Sequence, residues 1–600
     1  MGLLDWLVVG AYFTVLIGIV WWASQKQDTT ADYFLAGRNV GFLVIGASLF
    51  ASNIGSEHVV GLAGQGATTG MAMAHYELHA WIMLLLAWVF VPFYYRSAVY
   101  TVPEFLEKRF SATVRMILSV VSLLAYVFTK VSVTVYAGAK VFQVLLPETF
   151  GSPENAFWIG AIATVILTGI YTIFGGLRAV LYTDTVQAVI LLIGSVCITT
   201  IGLNMLGGWG ELQTTIGEKA DRFALWRPID DPDFPWLGIL IGSPIVGIWY
   251  WCTDQYIVQR TLSAKDLRNA RRGALFGGVL KVLPVLLFII PGLIGYALHE
   301  RGLMNLPMKT VSGETAETLG VTTPLTEAAA TEPVPAADGE ATAGSPPVAT
   351  QALPDEEIID GDRVFASLVT GLLPSGLRGL VVAGLLAALM SSLSSLFNSS
   401  ASLFTKDIYE RLRPGRTESH LVNVGRVATG VVVVLGLLWI PVMSAVSELG
   451  LYNYLQQVQG YLAPPITSVF LLGLFWRRIN HVGATAGLLI GFALGMGKMI
   501  LQDLFGAGTL TGPGWLAAVA EFNFLYFSSV LFGICVVIVV GASLATRAPE
   551  PGSLTGLTYG TRTPEEEREI RESWNGWDIF LSLLVAGLVL GIYIYFSFWL

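Results

Sequence analysis

Ala51-Ser52-Asn53-Ile54-Gly55-Ser56-Glu57-His58, continuing as Val59-Val60-Gly61-Leu62-Ala63-Gly64, sets small and polar residues in the middle of an apolar segment running from about 39 to 65. The segment has the length of a membrane span, for which ~20 residues suffice. Polar and ionisable residues within a span are costly unless they face a cavity or one another. A helix broken at this point frees backbone carbonyls. Together with Asn and Ser oxygens, these suit a hard cation such as Na⁺. Glycine and serine alone would read as a packing seam between helices. Asn53, Glu57 and His58 together favour a site.

The rest of the chain agrees with a membrane reading. Of 600 residues, 54% are hydrophobic and 13% charged, against about 25% charged in soluble domains. About fourteen apolar segments approach spanning length, at 5–24, 39–65, 77–97, 115–146, 156–175, 179–204, 237–258, 273–298, 364–405, 424–445, 453–475, 480–503, 522–546 and 577–600. The first has Asp5 before it and Lys26 after it. That is the wrong charge order for a cleaved signal, so a span is expected. Alternate loops are basic: Lys26 and Arg38; Arg96, Lys108, Arg109 and Arg115; Arg178; Arg260, Lys265, Arg268, Arg271 and Arg272; Lys406, Arg411, Arg413 and Arg416; Arg477 and Arg478; Arg547. The basic loops are expected in the cytoplasm, which puts both termini outside. Membrane topology accounts for these clusters, and no nucleic-acid partner is expected. The net charge of −9 comes largely from one loop. Cys197, Cys252 and Cys535 lie in apolar stretches without ligand spacing and read as buried, unpaired thiols. No GxxxxGK[ST] loop occurs, which argues against an ATP-driven pump, and no enzyme activity is expected.

Two segments stand apart. Residues 299–363, rich in Ala, Thr, Pro, Gly and acids, are expected to form a disordered external insertion. Residues 547–575 read as a charged cytoplasmic connector whose EEEREIRES stretch forms a short surface helix.

Further polar residues mark the spans. Glu77 stands in HYELHAW at the start of one. A carboxylate there is either solvated or part of a site. Trp249-Tyr250-Trp251-Cys252-Thr253-Asp254-Gln255 combines an aromatic cluster with an acid and an amide, which a lipid-facing belt does not need. Lys281 has apolar neighbours on both sides and either snorkels or pairs. In the run from Ala387 to Ser400, Ser391, Ser394, Ser395 and Asn398 fall on one helical face. Such a stripe is either a packing seam or a set of neutral oxygens for dehydrated Na⁺. Asp184, in LYTDTVQ, offers a matching charge.

At these residues the chain resembles the sodium/solute symporter family, and within it the sodium–glucose cotransporter branch. The matching stretches are SNIGSEHVVGLAGQGA, YTVPEFLEKRF, YTIFGGLRAVLYTDTVQ, WYWCTDQYIVQRTLSAK, PSGLRGL, ALMSSLSSLFNSSASLFTKDIY and QGYLAPP. The resemblance extends from about residue 30 to 500. It implies an all-α polytopic protein of about fourteen helices with a LeuT-type five-plus-five inverted repeat and extra helices at both ends. The corresponding divisions are an N-terminal extra helix and loop (1–38), repeat one (39–204), an external loop (205–236), repeat two (237–475) and C-terminal helices (476–600). It also implies sodium-coupled symport of a hexose, with Na⁺ as coupling ion and no other cofactor or obligate protein partner.

By the same resemblance, Asn53, His58, Glu77, Lys281 and Gln456 hold sugar hydroxyls, Tyr250 is an inner-gate aromatic and Trp251 its neighbour. Glu accepts, Lys donates, and Asn and Gln do both, which fits a ring of hydroxyls. The implied sodium site is Ala51, Ile54, Ala388, Ser391 and Ser392. A second implied site is Asp184, Ser394 and Ser395 with Ser391; because that set is complete here, two sodium ions are expected to move per sugar. The chain departs from animal members at Gly247 and Gln459 (their threonines), Asn453 (their Asp), Glu57 (their Gly) and in the 299–363 insertion. Rival substrates are myo-inositol, sialic acid, proline or an iodide-like anion. Glu77 argues against the anions, and inositol is the hardest to separate. A transporter-like membrane sensor is the rival from another class.

Overall fold

The computed structural model describes residues 1–25, 27–311, 356–446, 451–506, 510 and 512–600. Among the described residues, twelve helices are long and apolar enough to cross a membrane, and a bent pair, Phe42–Asn53 and Ser56–Thr68, adds a broken thirteenth. One of the twelve, Pro153–Leu206, has 54 residues. A continuous helix of that length would run roughly 80 Å, more than twice the ~30 Å hydrocarbon core. It is not continuous: Gly176 takes φ 54°, ψ −160°. Tyr171 on one side donates to Met390 O at 2.9 Å, and Asp184 on the other accepts from Ser391 Oγ at 2.7 Å. Thirteen residues apart, both meet successive residues of one helix, so the chain doubles back at Gly176. The total is fourteen crossings.

We number the spans α1 (Leu3–Ser24), α2 (the bent pair), α3 (Gly70–Arg96), α4 (Ala112–Leu145), α5 and α6 (153–175 and 177–206), α7 (Trp236–Thr253), α8 (Leu267–Glu300), α9 (Leu377–Leu412), α10 (Glu418–Val446), α11 (Leu451–Phe475), α12 (His481–Gly506), α13 (Phe524–Ala545) and α14 (Gly576–Ser597). Two spans are interrupted. α2 bends by 60° at Ile54–Gly55. α7 ends in a π turn, Trp249–Thr253, and Asp254 is extended before helix Gln255–Leu262 resumes. The most apolar window of α9 is 89% buried, that of α14 17%. α9 is therefore a central pillar, packed on both α5 and α6, and α14 faces lipid along most of its surface.

Three expectations need correction. The segment 364–405 is not one span. Gly361–Leu372 is a separate helix packed against the second half of α2, and α9 begins at Leu377. Pro374-Ser375-Gly376 intervenes, with Asp5 Oδ1 accepting from the Gly376 and Gly379 amides. Second, the ends of the 299–363 insertion are ordered. Met308–Val311 and Glu356–Ile359 pair as antiparallel strands; residues 312–355 lie outside the described residues. Third, Arg260 and Arg271 were counted as loop cations but are wholly buried. Arg260 finds its partners inside the bundle, whereas Arg271 bonds Ser573 Oγ at the end of the connector helix (2.6 Å) and lies over the Trp88 ring. Of the cysteines, Cys252 and Cys535 are buried and Cys197 is half-buried, all free. The connector helix is Pro564–Glu572, capped by Thr563 and Glu566.

Candidate functional site

The two interruptions face one another across a cavity lined by residues of α2, α3, α7, α8 and α11. All seven residues expected at the sugar site line it: Asn53, His58, Glu77, Tyr250, Trp251, Lys281 and Gln456. The break in α2 is what turns Asn53 and His58 inward. Asn53 ends the first half-helix, and His58 lies in the first turn of the second. Asn53 Nδ2 donates to the Tyr250 hydroxyl at 3.1 Å and lies 3.5 Å from His58 Nε2.

Glu77 and Lys281 form a buried pair, Nζ to Oε2 2.6 Å. This settles two open readings at once: the carboxylate is not solvated and the lysine does not snorkel. Lys281 Nζ also lies 5.6 Å from the Trp251 ring centre. Several polar atoms of the wall remain unpartnered within the protein, among them Glu77 Oε1, Asn53 Oδ1 and the Tyr76 hydroxyl. Buried polar groups are rarely left so. A wall of this kind fits a ligand that supplies hydroxyls, with the edge-on Tyr250 and Trp251 rings (centres 5.1 Å apart) for its apolar face.

Sequence reasoning missed three participants. Tyr76 and His79 line the cavity with Glu77; both were visible in HYELHAW, where only the carboxylate drew attention. Lys130 lies beneath Tyr250. Its Nζ sits 2.5 Å from Asp254 Oδ2 and 4.7–5.3 Å from the ring centres of Tyr250, Tyr256, Trp249 and Tyr126. A lysine inside the apolar α4 was the available signal. The pair clasps the interruption of α7, and Tyr126 is also a π-turn residue, so two π turns meet there.

Of the expected sodium residues, Ala51 and Ile54 stand at the α2 break, and Ser392 reaches it from α9. Gly55 N turns to Asn53 O (3.2 Å) and His58 N to Gly55 O (3.1 Å). The carbonyls of Ala51 and Ile54 thereby lose their usual i+4 donors. Ser392 Oγ donates to Ser52 O at 3.1 Å, tying α9 to the break.

Asp184 of the second expected set lies in a hydrogen-bonded cluster. Asp184 accepts from Ser391 (2.7 Å), Ser48 (2.5 Å) and Ser52 (3.0 Å). Ser394 instead donates to Ser391 O. Arg260 enters the same cluster: Nη2 is 3.8 Å from Asp184 Oδ2 and bonds the Ser52 and Ser395 hydroxyls, and Nε donates to Ser48 Oγ at 3.0 Å. The alternative partner, Arg178, lies instead over the Trp22 ring.

The sequence profile of the Sodium:solute symporter family matches residues 33–325 and 341–491. The chain belongs to this family. As a member of the symporter family, it is 36% identical over 589 residues to sodium/glucose cotransporter 1 of Oryctolagus cuniculus, covering 94% of this chain and 82% of that one. It is 37% identical over 598 residues to sodium/glucose cotransporter 4 of Danio rerio (95% and 83% covered). Sodium/myo-inositol cotransporter 2 of Oryctolagus cuniculus matches at 36% over 578 residues, with 93% and 79% covered. In fold, this symporter-family chain superposes on a Na⁺-coupled sialic acid symporter in its substrate-bound outward-open state, with a TM-score of 0.70 at 20% identity. That match covers 92% of this chain and 99% of the other. The inverted-repeat architecture expected from sequence is therefore present, and the two interrupted helices are α2 and α7.

Proposed function

We propose that this chain is a sodium-coupled hexose symporter of the plasma membrane, working by alternating access with both termini outside the cytoplasm. One observation carries the reading. Seven residues spread over 400 positions line a single cavity whose unpartnered acceptors, buried Lys–Glu pair and aromatic edge match a monosaccharide. The relatives named for sodium/glucose cotransport support the same substrate class.

The break in α2 offers a route for coupling. Asn53 belongs to the cavity wall, and the carbonyls of Ala51 and Ile54 flank it in sequence. A sodium ion drawing those carbonyls together orders the segment that presents Asn53 and, through it, Tyr250. Sodium binding thus favours the sugar-receptive wall, and by linkage sugar favours sodium.

A second reading, a cyclic polyol such as myo-inositol, is favoured by the equally similar inositol cotransporter. The test is uptake into proteoliposomes. An inward Na⁺ gradient is expected to drive accumulation of labelled D-glucose or D-galactose, an equal K⁺ gradient not to. Excess unlabelled myo-inositol should compete weakly. Sodium-driven inositol uptake without hexose uptake would replace the first reading by the second.

A further inference from the structure

We propose that His79 reads one hydroxyl of the transported substrate through Nδ1, and that Gly247 is the position that makes room for it. The inference rests on the proposed sugar cavity and adds a contact to it. His79 lines that cavity on α3 and is 5% exposed. Its Nε2 lies 3.0 Å from Ser243 Oγ. Ser243 has a single hydroxyl proton, and it goes to Ile239 O at 2.7 Å. Ser243 Oγ can then only accept from the imidazole, so the proton sits on Nε2. Nδ1 is left with a lone pair. Among the described residues Nδ1 has no hydrogen-bond partner, and it faces Gly247.

A Cβ at position 247 would stand 2.8 Å from Nδ1 and 2.4 Å from Ile82 Cδ1. No side chain fits there while the ring holds its present place. The ring is in turn held by Ser243 and by an edge contact with Tyr76, centres 5.7 Å apart. The absence of a side chain at 247 and the presence of an imidazole at 79 are one arrangement. It places an acceptor in the cavity wall, additional to Glu77 Oε1 and Asn53 Oδ1. A hydroxyl donating to Nδ1 is distinguished from a hydrogen at the same ring carbon, because the analogue leaves a buried acceptor unpaired.

The test compares Na⁺-driven uptake of the parent hexose with its monodeoxy analogues in wild type, His79→Gln and His79→Asn. Glutamine places its amide at the Nε2 end and keeps the Ser243 bond. Asparagine keeps a polar atom at the Nδ1 position. Wild type is expected to show a half-saturation concentration raised on the order of tenfold for one analogue. His79→Gln should raise the parent's value by the same factor and leave that analogue's unchanged. His79→Asn should restore the preference. If His79→Gln shifts the parent and all analogues alike, or shifts none, the assignment is overturned. Absence of any hexose uptake by wild type would instead overturn the functional proposal, and the same comparison would then be run with inositol and its deoxy analogues.

Discussion

Glu77 and Lys281 illustrate what a single buried pair demands. Removing one partner strands the other charge in a site almost without exposure, typically at 3–5 kcal/mol. Glu77→Ala and Glu77→Gln both leave the Lys281 ammonium without its counter-charge, so both are expected to lose sugar binding and thermal stability, Glu77→Gln less because its amide oxygen can still accept from Lys281. Gln456 lines the cavity without belonging to that pair. Gln456→Ala should raise the sugar half-saturation concentration on the order of tenfold, from about 1–3 kcal/mol for an unmet hydroxyl. Sodium-dependent tryptophan fluorescence should persist in Gln456→Ala. Its disappearance there would place Gln456 in the coupling path and not at the sugar. Of these residues, the chemical types were legible in sequence and the pairing was not. Glu77 and Lys281 are 204 positions apart, and each alone had an ordinary membrane-surface explanation.

At the scale of elements, the α5–α6 reversal depends on one residue. Gly176 occupies φ 54°, ψ −160°, a region essentially closed to other residues. An added Cβ would also lie 2.7 Å from both Tyr33 O and Gln27 Oε1. Gly176→Ala is expected to lower the stability of the purified protein by at least the 1–3 kcal/mol such strain costs, read as a lower thermal midpoint. Gly18→Ala, with nothing near it, is the neutral control; equal midpoints for the two variants would refute the argument. Both legs were separated correctly from sequence because two apolar runs exceed one bilayer. The split of 364–405 was missed because helix Gly361–Leu372 is amphipathic and buried, so its apolar face reads like the start of a span. Burial in protein and burial in lipid select the same residues.

For the whole molecule the open quantity is the charge moved per sugar. Each positive charge carried inward gains about 2.3 kcal/mol per 100 mV, so a second ion roughly squares the attainable gradient. The residues of a second sodium set are present, but Arg260 already shares Asp184 and the Ser52 and Ser395 hydroxyls. Two cations on one carboxylate in a dry interior repel strongly. With Arg260 in place, we expect one sodium per sugar, measured from the reversal potential of sugar-coupled current. In Arg260→Gln, Asp184 loses its internal cation. Na⁺ should then raise the thermal midpoint more steeply than in wild type, and K⁺ should not. A wild-type ratio of two would mean that Arg260 leaves Asp184 during the cycle.

The sequence by itself determined the medium, about fourteen crossings, a break within Ala51–His58 and the residue types of the cavity. Each of these follows from local composition: length of apolar runs, alternation of basic loops, and polar atoms where lipid would exclude them. Only the tertiary structure decided which polar groups satisfy one another. It joined Glu77 to Lys281, put Lys130 under Tyr250, carried Arg260 from an apparent loop to Asp184, and set His79 into the space left by Gly247. The reason is physical. A buried charge or hydrogen-bonding atom must find a partner, but sequence pattern records only that one is needed. Which distant residue supplies it depends on how fourteen helices pack.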